Sequence, residues 1–137
     1  METNITRGVI WFVDDDILDH ALNRQILDQE LPRLKKVGFT NPTEALLKLK
    51  EMKTNEYAPQ LIFLDLFMPE LNAMEFMEIF NREIHPKFPN TKIVLMDSAE
   101  GHAFESIYYP YIFAKMSKPL NRWDIQRIKQ DILEVNS

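Results

Sequence analysis

Two acidic stretches carry the chemistry in this sequence. Asp14-Asp15-Asp16 follows the apolar run Val9–Val13, and Asp65 closes the run "LIFLD" at 61–65. A carboxylate buried there without a partner would cost several kcal/mol. Ser98 follows "KIVLM" at 92–96, and Lys118-Pro119 follows the segment 112–117. Brought to one point, Asp14, Asp15 and Asp65 repel one another unless a cation joins them. A hard divalent ion with oxygen ligands suits that role. Mg²⁺ fits, because it takes a few carboxylates and keeps several waters. A carboxylate, a metal, a hydroxyl and an ammonium around one point form a phosphoryl-transfer set. The carboxylate can act as nucleophile. Metal and Lys118 would neutralise the phosphoryl oxygens, and Ser98 would donate a hydrogen bond to one of them.

These residues meet only if the chain positions them. Strand-like and helix-like segments alternate along it. Val9–Val13, rich in β-branched and aromatic residues, predicts the first strand. A helix is predicted over 16–29, with Ile17, Leu18, Ala21, Leu22, Ile26 and Leu27 at helical spacing and Asp16 as its cap. Leu34, Val37 and Phe39 predict a weaker second strand. Asn41-Pro42 then starts a helix bearing Ala45, Leu46, Leu49 and Met52. The third strand is 61–65. The next helix starts near Asn72 and carries Met74, Phe76, Met77, Ile79 and Phe80, with Pro86 and Pro89 in the loop beyond. The fourth strand is 92–96, followed by a helix over 100–108. The fifth strand lies within 112–117. A last helix starts after Asn121, with Ile125, Ile128, Ile132, Leu133 and Val135.

Five βα units imply an α/β fold, a doubly wound parallel five-stranded sheet with helices on both faces. The near-continuous apolar character of the first, third and fourth strands marks them as central. The order 2-1-3-4-5, the flavodoxin-like arrangement, satisfies this. It places the site at the carboxyl ends of the strands, where the first and third are neighbours.

Composition narrows the function classes. A chain of 137 residues suits one domain, 1–137, with a core over about 7–135. The net charge of −5 disfavours nonspecific nucleic-acid binding, which needs a basic surface. With no cysteine, thiolate chemistry is excluded. His20, His85 and His102 show no metal-ligand spacing. No apolar run approaches the roughly 20 residues of a membrane span, and "METNITRG" lacks the apolar core of a signal peptide. A cytoplasmic protein with no membrane association is the expectation.

The set "VDDD" at 13–16, "LDLFMPELNAMEF" at 64–76, "SA" at 98–99 and "KP" at 118–119 resembles the receiver domains of two-component response regulators. The likeness is to the stand-alone, chemotaxis-response-regulator kind. It implies that Asp65 is the phosphoacceptor and that Asp14 and Asp15 form the Mg²⁺-binding acidic pair. It further implies that Asp15 and Asp65 ligate directly, Asp14 through water, and that the Phe67 carbonyl is another ligand. Ser98 would be the switch hydroxyl and Lys118 the lysine of the pattern. A histidine kinase or histidine phosphotransfer protein would supply the phosphoryl group. The chain would act without an output domain, through contact with a downstream protein or onward transfer, as a monomer or weak dimer. It would catalyse only its own phosphorylation and dephosphorylation, and so would not be an enzyme in the usual sense. Phe67 would shield the phosphoryl group from water, and Glu100 could oppose this by orienting a water.

Two positions depart from the pattern. Ala73 stands where the family usually has glycine, and alanine tolerates positive φ poorly. Lys115 stands where a Tyr or Phe is usual, and a lysine keeps its charged end in water rather than filling an apolar pocket. Tyr108, Tyr109 and Tyr111 are expected in packing or at a partner face. His20 is expected at the surface rather than as a phosphocarrier. The alternatives are a receiver-fold interaction module that has lost phosphorylation, and an Asp-nucleophile phosphohydrolase. The haloacid-dehalogenase-like form of the latter needs an Asp two residues after the first, where this chain has Phe67.

Overall fold

The computed structural model describes residues 8–53, 57–66, 68, 70–97 and 109–136, with side chains to 130. The strands are β1 (Val9–Val13), β2 (Lys35–Phe39), β3 (Leu61–Asp65), β4 (Lys92–Asp97) and β5 (Ile112–Ser117). All pairings are parallel and the order is β2-β1-β3-β4-β5, as the alternation of segments requires. The described helices are α1 (Ile17–Glu30), α2 (Pro42–Glu51), α3 (Ala73–Ile79) and α4 (Arg122–Asn136). The helix expected over 100–108 lies outside the described residues. No helix among those described is long and apolar enough to cross a membrane.

Strand alternation builds two cores. Trp11, Val13, Ile62, Leu64, Ile93 and Leu95 face α2 and α3, packing with Leu46, Leu49, Phe76 and Met77. Ile10, Phe12, Leu61, Phe63, Val94 and Met96 face the other way, packing with Leu27 of α1 and with Ile125 and Ile128 of α4. Each fully buried Leu, Ile or Phe contributes roughly 1.5–3 kcal/mol. β1, β3 and β4 are covered on both faces, hence their continuous apolar sequences.

Helix ends follow local chemistry. Asp16 caps α1, its side chain accepting from Asp19 N at 3.0 Å. Asn41 caps α2, with Pro42 at the first position. At α3, Asn72 and Glu75 form a reciprocal capping box, which satisfies two backbone donors. Beyond Ile79 the helix widens into a π-helical turn, Phe80–Ile84.

Three sequence expectations change. Ala73 is the first residue of α3 and is buried, and no described non-glycine residue has positive φ. The helix simply begins one residue after its cap, so the position needs no glycine. On α1, Ile17, Leu18 and Leu22 are exposed, whereas Asn23 and Leu27 are buried. The helix turns a polar residue inward because a buried carboxylate needs it, as described below. His20 is half-buried, its ring 4.6 Å from that of Phe12. Gly38 of β2 makes this possible: a Cβ there would lie 2.4 Å from His20 Nε2 and 2.6 Å from Phe12 Cζ.

Candidate functional site

Parity carries the site residues to one place. Ile10, Phe12 and then Asp14 fall on the α1 side of the sheet, as do Leu61, Phe63 and then Asp65. Val13 is opposite Leu64, so one residue further along 14 comes beside 65. The 116-to-118 step follows the same alternation from buried Met116. β5 is held at its end by Lys118 N, which donates to Asp97 O at 2.6 Å. The Lys118-Pro119 peptide is cis.

Asp14 is fully buried and Asp65 nearly so, which sharpens the problem of an unpaired buried charge. Lys118 answers it. Its Nζ lies 3.0 Å from Asp14 Oδ2 and 3.0 Å from Asp65 Oδ2. Asp14 has further support: Oδ1 accepts from Asp16 N at 3.0 Å, and Oδ2 accepts from Asn23 Nδ2 at 3.4 Å. A third carboxylate, Asp19 on the first turn of α1, also takes Lys118 Nζ at 3.0 Å. Burial alone would pull the Lys118 ammonium below its ordinary value. Hydrogen bonds to Asp19, Asp65 and Asp14 outweigh that and hold it above.

Asp15 is half-buried beside this pair. Asp14, Asp15 and Asp65 each offer one oxygen, all within 4.8 Å of one another. In an octahedral shell at about 2.0–2.1 Å, ligand oxygens stand about 3 or 4 Å apart, so these three need only a small contraction to share one Mg²⁺. One ammonium among four carboxylates also leaves the site short of positive charge. The donor set therefore fits a hard divalent cation.

Of the residues singled out in the sequence, Asp14, Asp15, Asp65 and Lys118 are brought together. Ser98 and Phe67 lie outside the described residues, as do Glu100 and Tyr108. Lys115 is exposed, opposite Leu95 on β4. Tyr111 is buried, its hydroxyl donating to Asn81 Oδ1 at 3.0 Å. It therefore packs in the core and is not available to a partner face. Sequence reasoning missed Asp19 and Asn23. Their signal was present: 19, 23 and 27 form an i, i+4, i+8 row on α1, ending at the buried Leu27.

No protein-family model matches the chain. A curated relative, the transcriptional regulatory protein BtsR of Shigella flexneri, is 27% identical over 127 residues, covering 90% of this chain and 51% of its own. The chain thus spans about half the length of that relative. Among solved structures, a two-component response regulator from Cytophaga hutchinsonii superposes with a TM-score of 0.82 at 22% identity, covering 93% of this chain and 97% of its own. A CheY-like response regulator receiver domain protein from Methanospirillum hungatei gives 0.71 at 20% identity, covering 94% and 95%. The chain has the receiver-domain fold.

Proposed function

We propose that this receiver-fold chain is the phosphoacceptor of a two-component relay, taking a phosphoryl group on Asp65 in a Mg²⁺-dependent reaction. The observation that supports this most is the Lys118 ammonium, 3.0 Å from Asp65 Oδ2, with Asp14 and Asp15 oxygens close by. A buried carboxylate so placed is a nucleophile facing a ready-made anion partner. An Asp65 oxygen attacks the phosphorus of a phosphohistidine. A phosphorus–oxygen bond forms, the phosphorus–nitrogen bond breaks, and the imidazole leaves with the electron pair. Lys118 compensates charge on the phosphoryl oxygens. Asp14 and Asp15, with Asp65, would hold Mg²⁺, which supplies charge neutralisation when bound. Asn23 and the Asp16 amide keep Asp14 aimed at that place. Ser98, next after β4, would bond a phosphoryl oxygen.

The donor is a histidine kinase or histidine phosphotransfer protein in the cytoplasm, and the output is contact with a downstream protein or onward transfer. The chain acts as a substrate that assists its own modification. Lys115 is exposed on β5 and, as a lysine, keeps its charged end in water, which supports a signal read on the β4–β5 side as a change of loop position and charge.

Incubation with acetyl phosphate and Mg²⁺, followed by peptide mass spectrometry, tests the reading. The adduct is expected on Asp65, absent without Mg²⁺ and absent in Asp65→Asn. An adduct on His20 or another residue overturns it.

A further inference from the structure

Lys118 has a complete hydrogen-bond shell before any phosphoryl group arrives. Its three carboxylate partners, Asp14, Asp19 and Asp65, all stand at 3.0 Å. An ammonium has three N–H donors and no more, so these partners use all of them. A phosphoryl group on Asp65 brings new anionic oxygens to the same place. Lys118 can bond one of them only by releasing a carboxylate.

The three partners are not equally releasable. The Asp14 side chain is 0% exposed and that of Asp65 4%, both at strand ends. Releasing Asp14 would leave a buried charge uncompensated. Asp65 passes its own charge to the phosphoryl group when it is phosphorylated, so its oxygen is released at little cost. The Asp19 side chain is 32% exposed on the first turn of α1, and freed it can turn to water. Its backbone amide, not its carboxylate, is bound to the Asp16 cap, so the helix end survives the exchange.

Resting on the phosphoacceptor reading above, we infer that Asp19 is a positioning residue that holds Lys118 in the resting site and competes with a phosphoryl oxygen for it. Asp19 thereby opposes phosphoryl retention. Its charge remains beside the incoming anion and competes for the ammonium that the anion needs.

Trifluoroberyllate binding with Mg²⁺, followed by ¹⁹F NMR, measures this as a phosphoryl mimic. Asp19→Asn is expected to bind it about threefold to tenfold more tightly than wild type, the scale of a partly exposed ion pair. Asp19→Glu, which restores a carboxylate one methylene further out, is expected to return the affinity toward wild type. Asp16→Asn removes a neighbouring charge that caps α1 instead of bonding Lys118, and keeps a good cap. It is expected to change affinity by less than about twofold. In the metal-free protein, the Lys118 ammonium protons exchange faster with water in Asp19→Asn. Equal affinities for wild type and Asp19→Asn, or equal gains in Asp19→Asn and Asp16→Asn, overturn the inference and leave the phosphoacceptor reading standing. Failure of wild type to bind trifluoroberyllate with Mg²⁺ overturns both.

Discussion

The two ends of this sheet bury polar groups in opposite ways. At the carboxyl end, Asp14, Asp65 and Lys118 satisfy one another through ion pairs and hydrogen bonds. At the other end, Tyr111 sits among rings. His85 stacks on it at 4.2 Å, Phe80 lies at 5.3 Å and Tyr109 at 5.5 Å. Its hydroxyl is committed to Asn81, and burial with the neighbouring Tyr109 pushes it above the ordinary phenol range. Charge-assisted contacts can be exchanged for a ligand's oxygens or a metal. Ring packing has nothing equivalent to exchange with. The contacts at the first end are exchangeable and those at the second are fixed, so substitutions at each should have different consequences.

The largest effect belongs to the aromatic end. Tyr111→Ala should cost about 3–5 kcal/mol of folding stability, the range for emptying a large buried ring site. Tyr111→Phe should cost only about 1 kcal/mol, because it removes one hydrogen bond and keeps the ring. Urea unfolding measures both. Mg²⁺ affinity of the folded Tyr111→Phe protein should match wild type. A loss there would show that the two ends are coupled.

At the carboxyl end the signs invert. Asp15→Asn should weaken Mg²⁺ binding by at least about tenfold, as loss of a ligand implies. The same change should leave metal-free stability unchanged or raise it by less than about 1 kcal/mol, since it relieves repulsion among clustered carboxylates. Calorimetric titration with Mg²⁺ and urea unfolding without it separate the two quantities. Equal Mg²⁺ affinity in both proteins would remove Asp15 from the site.

The same contrast shows what the sequence could tell. β1 and β3 were legible to the residue because central parallel strands have no polar face to blur them. The meeting of Asp14 with Asp65 followed from strand order alone. α1 was not legible in the same way. Its apolar residues suggested a face containing Ile17, Leu18 and Leu22, yet Asn23 is turned inward, where it bonds Asp14. Helical periodicity ranks faces by hydrophobicity and cannot see a demand made by a carboxylate on a neighbouring strand. Asp19 was missed for that reason too. The π turn at Phe80–Ile84 had no signal in the spacing of the apolar residues.

The smallest expected effect lies between the two regimes, at His20, which is packed like the aromatic end but sits beside the charged one. Its Nε2 has no hydrogen-bond partner among the described residues, and it lies under Gly38 against Phe12. Burial lowers its pKa from 6.5, the Arg24 charge lowers it further, and Asp14 opposes both. A histidine depressed in this way binds its proton more readily in the unfolded chain. Its contribution to stability is therefore complete above about pH 6.5 and is lost as pH falls through the folded value. The comparison that isolates His20 is wild type against His20→Gln between about pH 7.5 and 5.5, the range over which a histidine changes charge. Wild type should lose stability on acidification more steeply than the variant. A shallower slope in wild type would mean that Asp14 dominates and that His20 belongs electrostatically to the charged end. Equal slopes would mean that the ring is wet enough to titrate as it does in the unfolded chain.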